Sequence, residues 1–386
     1  MASRFYLENA RWLGAGFALT LASSFGQTFF ISLFADEVKA VYGLSDGGWG
    51  TLYTVATLGS AALLFRVGGL TDSLRLDRLV LAMLAVYAGV ALAMAFGGGP
   101  VWVLGLVVFG LRFCGQGMMS HMALTAMGRW FRGHRGRAVA VAGLGFSTGE
   151  AVFPSLGVAL AAAIGWRETW MLVAGLLVFG LAPLLGWLLA RGRAPKGAEA
   201  GELATGLGGR HWDRSQVMRH WAFWTLLPAL LTPPFIGTVI FFQQVHVSDI
   251  KGWELGRMAL GYPVYAVLTV CASLAGGWLV DRFGAMRLLP VYLLPIGAGA
   301  MTLALGQGVG SWYATLALMG VTQGVAQALA GSLWPELYGT RHLGGVRAMA
   351  TTAMVFSTAI GPGITGLLID AGFDLAVQTP VFALWC

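Results

Sequence analysis

The sequence predicts an all-α transmembrane protein, and three observations carry that reading. Of 386 residues, 57% are hydrophobic and only 11% are charged, against about 25% charged in an ordinary soluble domain. Apolar runs of about 18 residues or more recur along the chain, each long enough to cross a hydrocarbon core about 30 Å thick. The second half of the chain also echoes the first at a nearly fixed offset. So few charged groups cannot cover a water-soluble surface, which excludes a large soluble core. Glycine is abundant, at 57 residues, as suits helices that approach closely in lipid through small side chains.

Taken in order, the first apolar run lies near 12–35. No signal-peptide cleavage pattern precedes it, so it reads as a retained helix. Helices 2 to 6 fall near 48–70, 78–97, 101–127, 137–163 and 168–190. The stretch 191–219 is polar, lacks apolar periodicity and reads as a linker. Helices 7 to 11 follow near 221–246, 256–279, 287–306, 311–335 and 346–369. A twelfth run starts near Leu375 and stops at Cys386, short of the ~20 residues a span needs. The expected organisation is a six-helix bundle over 1–190, a cytoplasmic linker over 191–219 and a second bundle over 220–386. Cys114, Cys271 and Cys386 are odd in number, show no metal-site spacing and read as packing residues.

Basic residues fix the expected orientation. With the amino terminus inside, nearly all of the 24 Lys and Arg lie at the inner ends of spans or in the linker. Only Lys39, Arg167, Lys251 and Arg257 fall outside, and Arg112 lies within a span. The net charge of +7 then faces anionic inner-leaflet lipid. No basic-aromatic groove for nucleic acid is present.

The halves repeat. Asp72 after helix 2 matches Asp281 after helix 8, at an offset of about 210 residues. Phe146-Ser147-Thr148 recurs as Phe356-Ser357-Thr358, and Arg137-Ala138 as Arg347-Ala348, at the same spacing. Parallel repeats are what a transporter that rocks one half against the other needs. The run from Gly277 to Arg287 resembles the signature loop of the major facilitator superfamily. The copy from Gly68 to Arg78 departs from it, with Ser73 where Arg is usual and Arg75 where Gly is usual. Gly110-Leu111-Arg112 with Gln116-Gly117 resembles the family's helix 4. Arg129-Trp130-Phe131, Arg135-Gly136-Arg137-Ala138 and the glycines to Pro154 resemble the monocarboxylate and oxalate/formate branch. Trp334 to Arg341, with Gly361-Pro362, resembles the same neighbourhood.

The resemblance implies a major facilitator fold of two pseudo-symmetric six-helix bundles, the twelfth helix incomplete. It implies secondary active transport by alternating access. It also implies gating loops in which Asp72 faces the start of helix 11 and Asp281 the start of helix 5. Arg78, Arg282, Arg287, Arg137 and Arg347 lie beside them. Wet ion pairs of this kind contribute ~0–1 kcal/mol each, which suits a latch that must reopen.

Two ionisable residues lie deep in the membrane and are functional candidates by that fact. At ~1.5 Å per residue, Arg112 is ~18 Å from the outer end of its helix and Glu150 ~20 Å from the inner end of the next. A direct or water-bridged pair between them is expected. Three readings stand: Glu150 takes and releases a proton as its distance to Arg112 changes, Arg112 holds an anionic substrate, or the two form a static pair between helices 4 and 5. Gln116 lies one turn from Arg112. Gln27 and Thr28 are mid-depth in helix 1. Gln323 and Gln327 share a face of helix 10, and Tyr262 and Tyr265 lie in the outer part of helix 8. Gln243, Gln244 and His246 lie near the outer end of helix 7. His121 points away from Arg112 and reads as packing or gate-proximal. Bends are expected at Gly149 and Pro154, and at Gly361, Pro362 and Gly363.

The branch resemblance implies a small organic anion, with a proton as coupling partner, carried by a functional monomer in the cell membrane. Helices 1, 8 and 11 lack the membrane-embedded cations of related carriers, so Arg112 is the sole deep cation and a dicarboxylate is disfavoured. Efflux of neutral or amphipathic solutes, and a non-transporting sensor or scaffold, remain open. No metal cluster and no nucleophile–base pair suggests an enzyme, and no cofactor is expected.

Overall fold

The computed structural model describes residues 2–131, 135–191, 205–339 and 341–386, and these form helices joined by short turns. Among the described residues nine helices are singly long and apolar enough to cross a membrane, a bent pair makes a tenth if it is one span, and two further apolar helices are shorter. Clustering of the chain gives two compact units. One is Met1–Ser45 with Leu52–Glu199, the other Asp46–Thr51 with Ala200–Cys386.

In the first unit the bent pair is α1 (Phe5–Gly26) and α2 (Thr28–Tyr42), at 45° to each other. Then come α3 (Asp46–Val67), which enters this unit at Leu52, α4 (Leu76–Ala95), α5 (Val101–Trp130), α6 (Gly136–Ile164) and α7 (Trp166–Leu189). Alpha-helical backbone satisfies its own polar groups, the condition for crossing lipid. The helices come close where side chains are small. A Cβ on Gly145 would overlap the Phe17 carbonyl, and one on Gly149 would overlap Ser24 Oγ. The two glycines are four residues apart and so share one face of α6, and that face is seated on α1. At the other end Leu13, Met127, Phe131, Ala138 and Ala142 form a buried cluster.

The second unit contains α8 (Trp221–Phe242), α9 (Gln244–Lys251), α10 (Leu255–Phe283), α11 (Leu294–Leu305), α12 (Val309–Tyr338), α13 (Leu343–Asp370) and α14 (Leu375–Trp385). The same small-residue device recurs. A Cβ on Gly324 would overlap the Thr269 carbonyl, and one on Gly320 would press on that of Tyr265. This fixes α10 on α12. The segment Asp46–Thr51 belongs here because Gly47 N–H donates to Asp370 (3.1 Å) and Trp49 stacks on Phe242 at 5.8 Å. His246 sits between two carboxylates, 4.0 Å from Asp46 and 3.6 Å from Asp374.

Three sequence expectations need correction. The first span is not one helix over 12–35: it starts earlier, bends, and runs on to Tyr42. The ninth is shorter than 287–306, because Pro290 and Pro295 cannot donate backbone hydrogen bonds and a turn separates Ala285–Leu288 from α11. The polar stretch is not wholly irregular. Its end forms a helix, Arg214–Met218, with a reciprocal Asp213–Gln216 capping box, and Trp212 N–H donates to the Tyr338 carbonyl at 3.1 Å. Residues 192–204 of that stretch lie outside the described residues. At Pro154 and Pro362 the helices continue unbroken. Breaks between helices fall at two glutamines, Gln27 between α1 and α2, and Gln243 between α8 and α9.

Candidate substrate and proton-coupling site

The site begins with the break in the first span. After Ala22 the chain tightens into a 3-10 turn, Ser23–Gly26, and Gln27 turns extended (φ −87°, ψ 156°) before α2 starts. A break strands backbone carbonyls, and in a membrane each must find a donor. Gly26 makes the break approachable. A Cβ there would overlap the Leu111 carbonyl, and Gly115 of α5 packs directly on it.

Where α5 meets the break it relaxes into a π-helix, Arg112–Met119. This widened turn presents Arg112. Its Nη1 donates to the stranded Gly26 carbonyl at 3.0 Å and approaches Thr28 Oγ1 at 3.4 Å. The guanidinium lies over the Tyr53 ring of α3, with Cζ 5.1 Å from the centroid. Tyr53 OH in turn shares a 2.8 Å hydrogen bond with Thr28 Oγ1. Arg112 is 1% exposed, yet its Nε and Nη2 have no hydrogen-bond partner.

The direct form of the expected Arg112–Glu150 pair does not occur. Among the described residues Arg112 makes no ion pair, and its partners are a carbonyl, a hydroxyl and an aromatic ring. Glu150 is buried on α6, beside Gly149 and its close approach to α1. Spacing along two helices placed both groups at mid-depth, but depth does not set the facing direction. The i→i+5 bonds of the π-turn rotate α5 away from the 100° per residue that an α-helix would give. The same slip weakens the expectation that Gln116 shares the Arg112 face; Gln116 is half-buried, without a hydrogen bond.

Gln27 is buried at the break itself. In the second unit, Gln243 stands at the corresponding break and donates to Thr365 at 3.2 Å. Tyr262 donates to Gln244 Oε1 at 2.7 Å, and Tyr262 and Tyr265 both pack on Phe241. These two tyrosines thus belong to a packed aromatic cluster. Gln323 is half-buried and Gln327 exposed on α12. Tyr53 was missed in the sequence, where a lone tyrosine in an apolar span signals nothing; only the folded chain brings it beneath Arg112.

The signature loops are gripped from within their own units. In the first, His121 Nε2 donates to the Gly68 carbonyl (3.1 Å) and Arg129 to that of Thr71 (2.9 Å). In the second, Glu336 accepts from Ala285 N–H at 3.1 Å. The side chain of Asp72 lies outside the described residues. Asp281, Arg78, Arg137 and Arg287 are exposed. Arg282 lies over Trp278 (5.3 Å), and Arg347 donates to the Gly331 carbonyl (2.7 Å).

Comparison with known proteins places this geometry in context. The oxalate:formate antiporter of Oxalobacter formigenes is 24% identical over 72% of this chain and 69% of its own length. Monocarboxylate transporter 11 of Mus musculus is 28% identical over 87% and 85%, and a gallate transporter of Pseudomonas putida 22% identical over 86% and 80%. Among solved structures, a bacterial homologue of the human lysosomal transporter Spinster matches with a TM-score of 0.71 at 16% identity, covering 94% of this chain and 83% of that one. The nucleoside transporter NupG matches with a TM-score of 0.71 at 11% identity, covering 98% and 96%. The family model of the Major Facilitator Superfamily matches residues 16–362. The chain therefore belongs to the Major Facilitator Superfamily, and it is a multi-pass membrane transporter with that family's fold.

Proposed function

We propose that this transporter carries a small organic anion of the monocarboxylate kind, and that Arg112 binds its carboxylate. One observation carries the proposal. A guanidinium buried among membrane helices, with two of its nitrogens unbonded and no described carboxylate beside it, is costly without a counter-anion. Its planar fork matches a carboxylate. The transported anion supplies the missing charge. A static structural arginine would instead have its donors used up, as Nη1 is. Similarity to carriers named for oxalate, formate, gallate and monocarboxylates points to the same chemistry. Gln27, next to the Gly26 carbonyl that Arg112 holds, and Gln116, four residues after Arg112, offer amide groups to the solute; Gln323 and Gln327 offer the same in the second unit.

Glu150 is the proposed proton site, since a buried carboxyl is a usual element of proton relays in transporters. The carrier works as a monomer in the cell membrane by alternating access, the two units acting as duplicated halves and the amino terminus in the cytoplasm.

Reconstituted protein tests this by counterflow of labelled formate, oxalate, lactate and gallate. We expect exchange of at least one monocarboxylate. Arg112→Gln should weaken its binding by ~2–5 kcal/mol, the cost of removing one partner of a buried charge pair. That is an affinity loss of about 30-fold or more. Arg112→Lys should keep a fraction of the affinity, and melting temperatures separate binding from folding. Exchange of neutral solutes alone, or carboxylate exchange untouched in Arg112→Gln, would overturn the assignment.

A further inference from the structure

At the end of the second unit opposite its signature loop, one titratable side chain lies between carboxylates from two other elements. His246, on α9, has Nδ1 4.0 Å from Asp46 Oδ2 at the head of α3. Its Nε2 is 3.6 Å from Asp374 Oδ1, in the turn before α14, and has no hydrogen-bond partner. Both separations exceed a hydrogen bond, so a small side-chain movement decides whether they close. The head of α3 is docked here by close backbone packing. A Cβ on Gly50 would overlap the Pro362 carbonyl of α13, and one on Gly366 of α13 would overlap the Asp46 carbonyl. Gly47 N–H donates to Asp370. From Leu52 onward the same helix belongs to the first unit.

The other charged groups nearby are engaged elsewhere or stand further off. α9 packs on α8, on the start of α10 and on α14. Trp221–Phe242 of α8 contains no titratable side chain, and α14 contributes Asp374. The start of α10 brings Glu254 and Arg257, which pair with each other at 3.1 Å in an exposed position. Lys251, later on α9, donates to the Ala304 and Gly306 carbonyls at 2.9 and 3.0 Å. Asp249 on α9 and Asp370 at the end of α13 are exposed.

We propose that His246 is a proton-operated clasp. Protonated, it bridges Asp46 and Asp374 and holds the head of α3 on the second unit; neutral, it lets the head go. Histidine is the side chain that changes charge between about pH 5 and 8. A neutral ring has one N–H and serves one carboxylate, whereas the imidazolium has an N–H on each side. The two carboxylates lie against the two ring nitrogens in turn. Docking therefore takes up a proton, so acid favours the docked head and rising pH releases it. Alternating access needs this end to open and close, and acidity on that side holds it closed. The inference requires neither Arg112 nor any particular substrate.

The test is hydrogen–deuterium exchange of the full-length, substrate-free carrier in detergent, at about pH 5.5 and about pH 8. Labelling times are scaled for the chemical exchange rate at each pH. The segment 44–53 should be about fivefold more protected at the lower pH, the effect expected of two partly exposed ion pairs. His246→Gln should show the same protection at both pH values, and Asp374→Asn a reduced response. His246→Lys carries its charge at both pH values and should keep the high protection throughout, which a misfolded variant would not do. Equal protection of the wild type at the two pH values would overturn the proposal. So would a response that survives in His246→Gln, a full response in Asp374→Asn, or a His246→Lys variant no better protected than His246→Gln.

Discussion

At the residue scale, a break in one helix explains the position of a charge on another. Arg112 is legible in the sequence as a deep cation, and its donor group is half committed to a backbone carbonyl that the sequence could not show to be free. Its aromatic floor gives a graded prediction. Tyr53→Phe removes the 2.8 Å bond to Thr28 but keeps the ring, so substrate affinity should change less than about threefold. Tyr53→Leu removes the ring and the cation–π contact, worth ~2 kcal/mol when desolvated, and should cost over tenfold. Equal effects from both, measured by counterflow, would reject the ring as a support. Glu150 gives a second prediction. Since Arg112 does not pair with it, Glu150→Gln should leave exchange at equal pH on both sides largely intact while uptake loses its response to an imposed pH gradient. Gradient-driven uptake like that of the wild type would remove Glu150 from the coupling path. Both residues were visible in the sequence as charges in apolar runs; their separation was not, because only the π-turn at Arg112–Met119 sets which way α5 faces.

At the element scale, spans were legible from hydropathy, but their breaks were not. Pro154 and Pro362, where the sequence suggests bends, lie inside the continuous helices α6 and α13. A proline removes one donor, and neighbouring helices can absorb that loss. Breaks between helices sit at Gln27 and Gln243, each a non-helical residue between two helices. No single-residue propensity marks them. Glycine was more informative, since Gly145 and Gly149 do hold α6 against α1. The two should respond differently to alanine. At Gly145 the new Cβ meets the Phe17 backbone at two atoms, whereas at Gly149 it meets the Ser24 hydroxyl, which can rotate, and the Ser24 Cβ at 2.8 Å, which must shift. Overpacking of this kind costs ~1–3 kcal/mol, so both alanine variants should lower the melting temperature in detergent, Gly145→Ala the more. The opposite order would mean that α1 and α6 do not cross as described.

At the scale of the whole molecule, the duplicated sequence and the family fold leave the direction of insertion as the property still open to a simple test. Charge decides it. Basic residues gather at the helix ends proposed to face inward and in the 191–219 stretch, while Lys39, Arg167, Lys251 and Arg257 stand alone at the ends proposed to face outward. Lys and Arg, rather than net charge, set orientation during insertion. Thr205 and Glu254 report the two sides, because both are exposed and α8 and α9 separate them along the chain. In a variant with Cys114, Cys271 and Cys386 replaced by alanine, Glu254→Cys should react with a membrane-impermeant maleimide on intact cells. Thr205→Cys should react only in inverted vesicles. Reversed labelling would place the basic ends outside, against the energetics of the negatively charged inner leaflet, and would refute the orientation from which the inner gate was inferred.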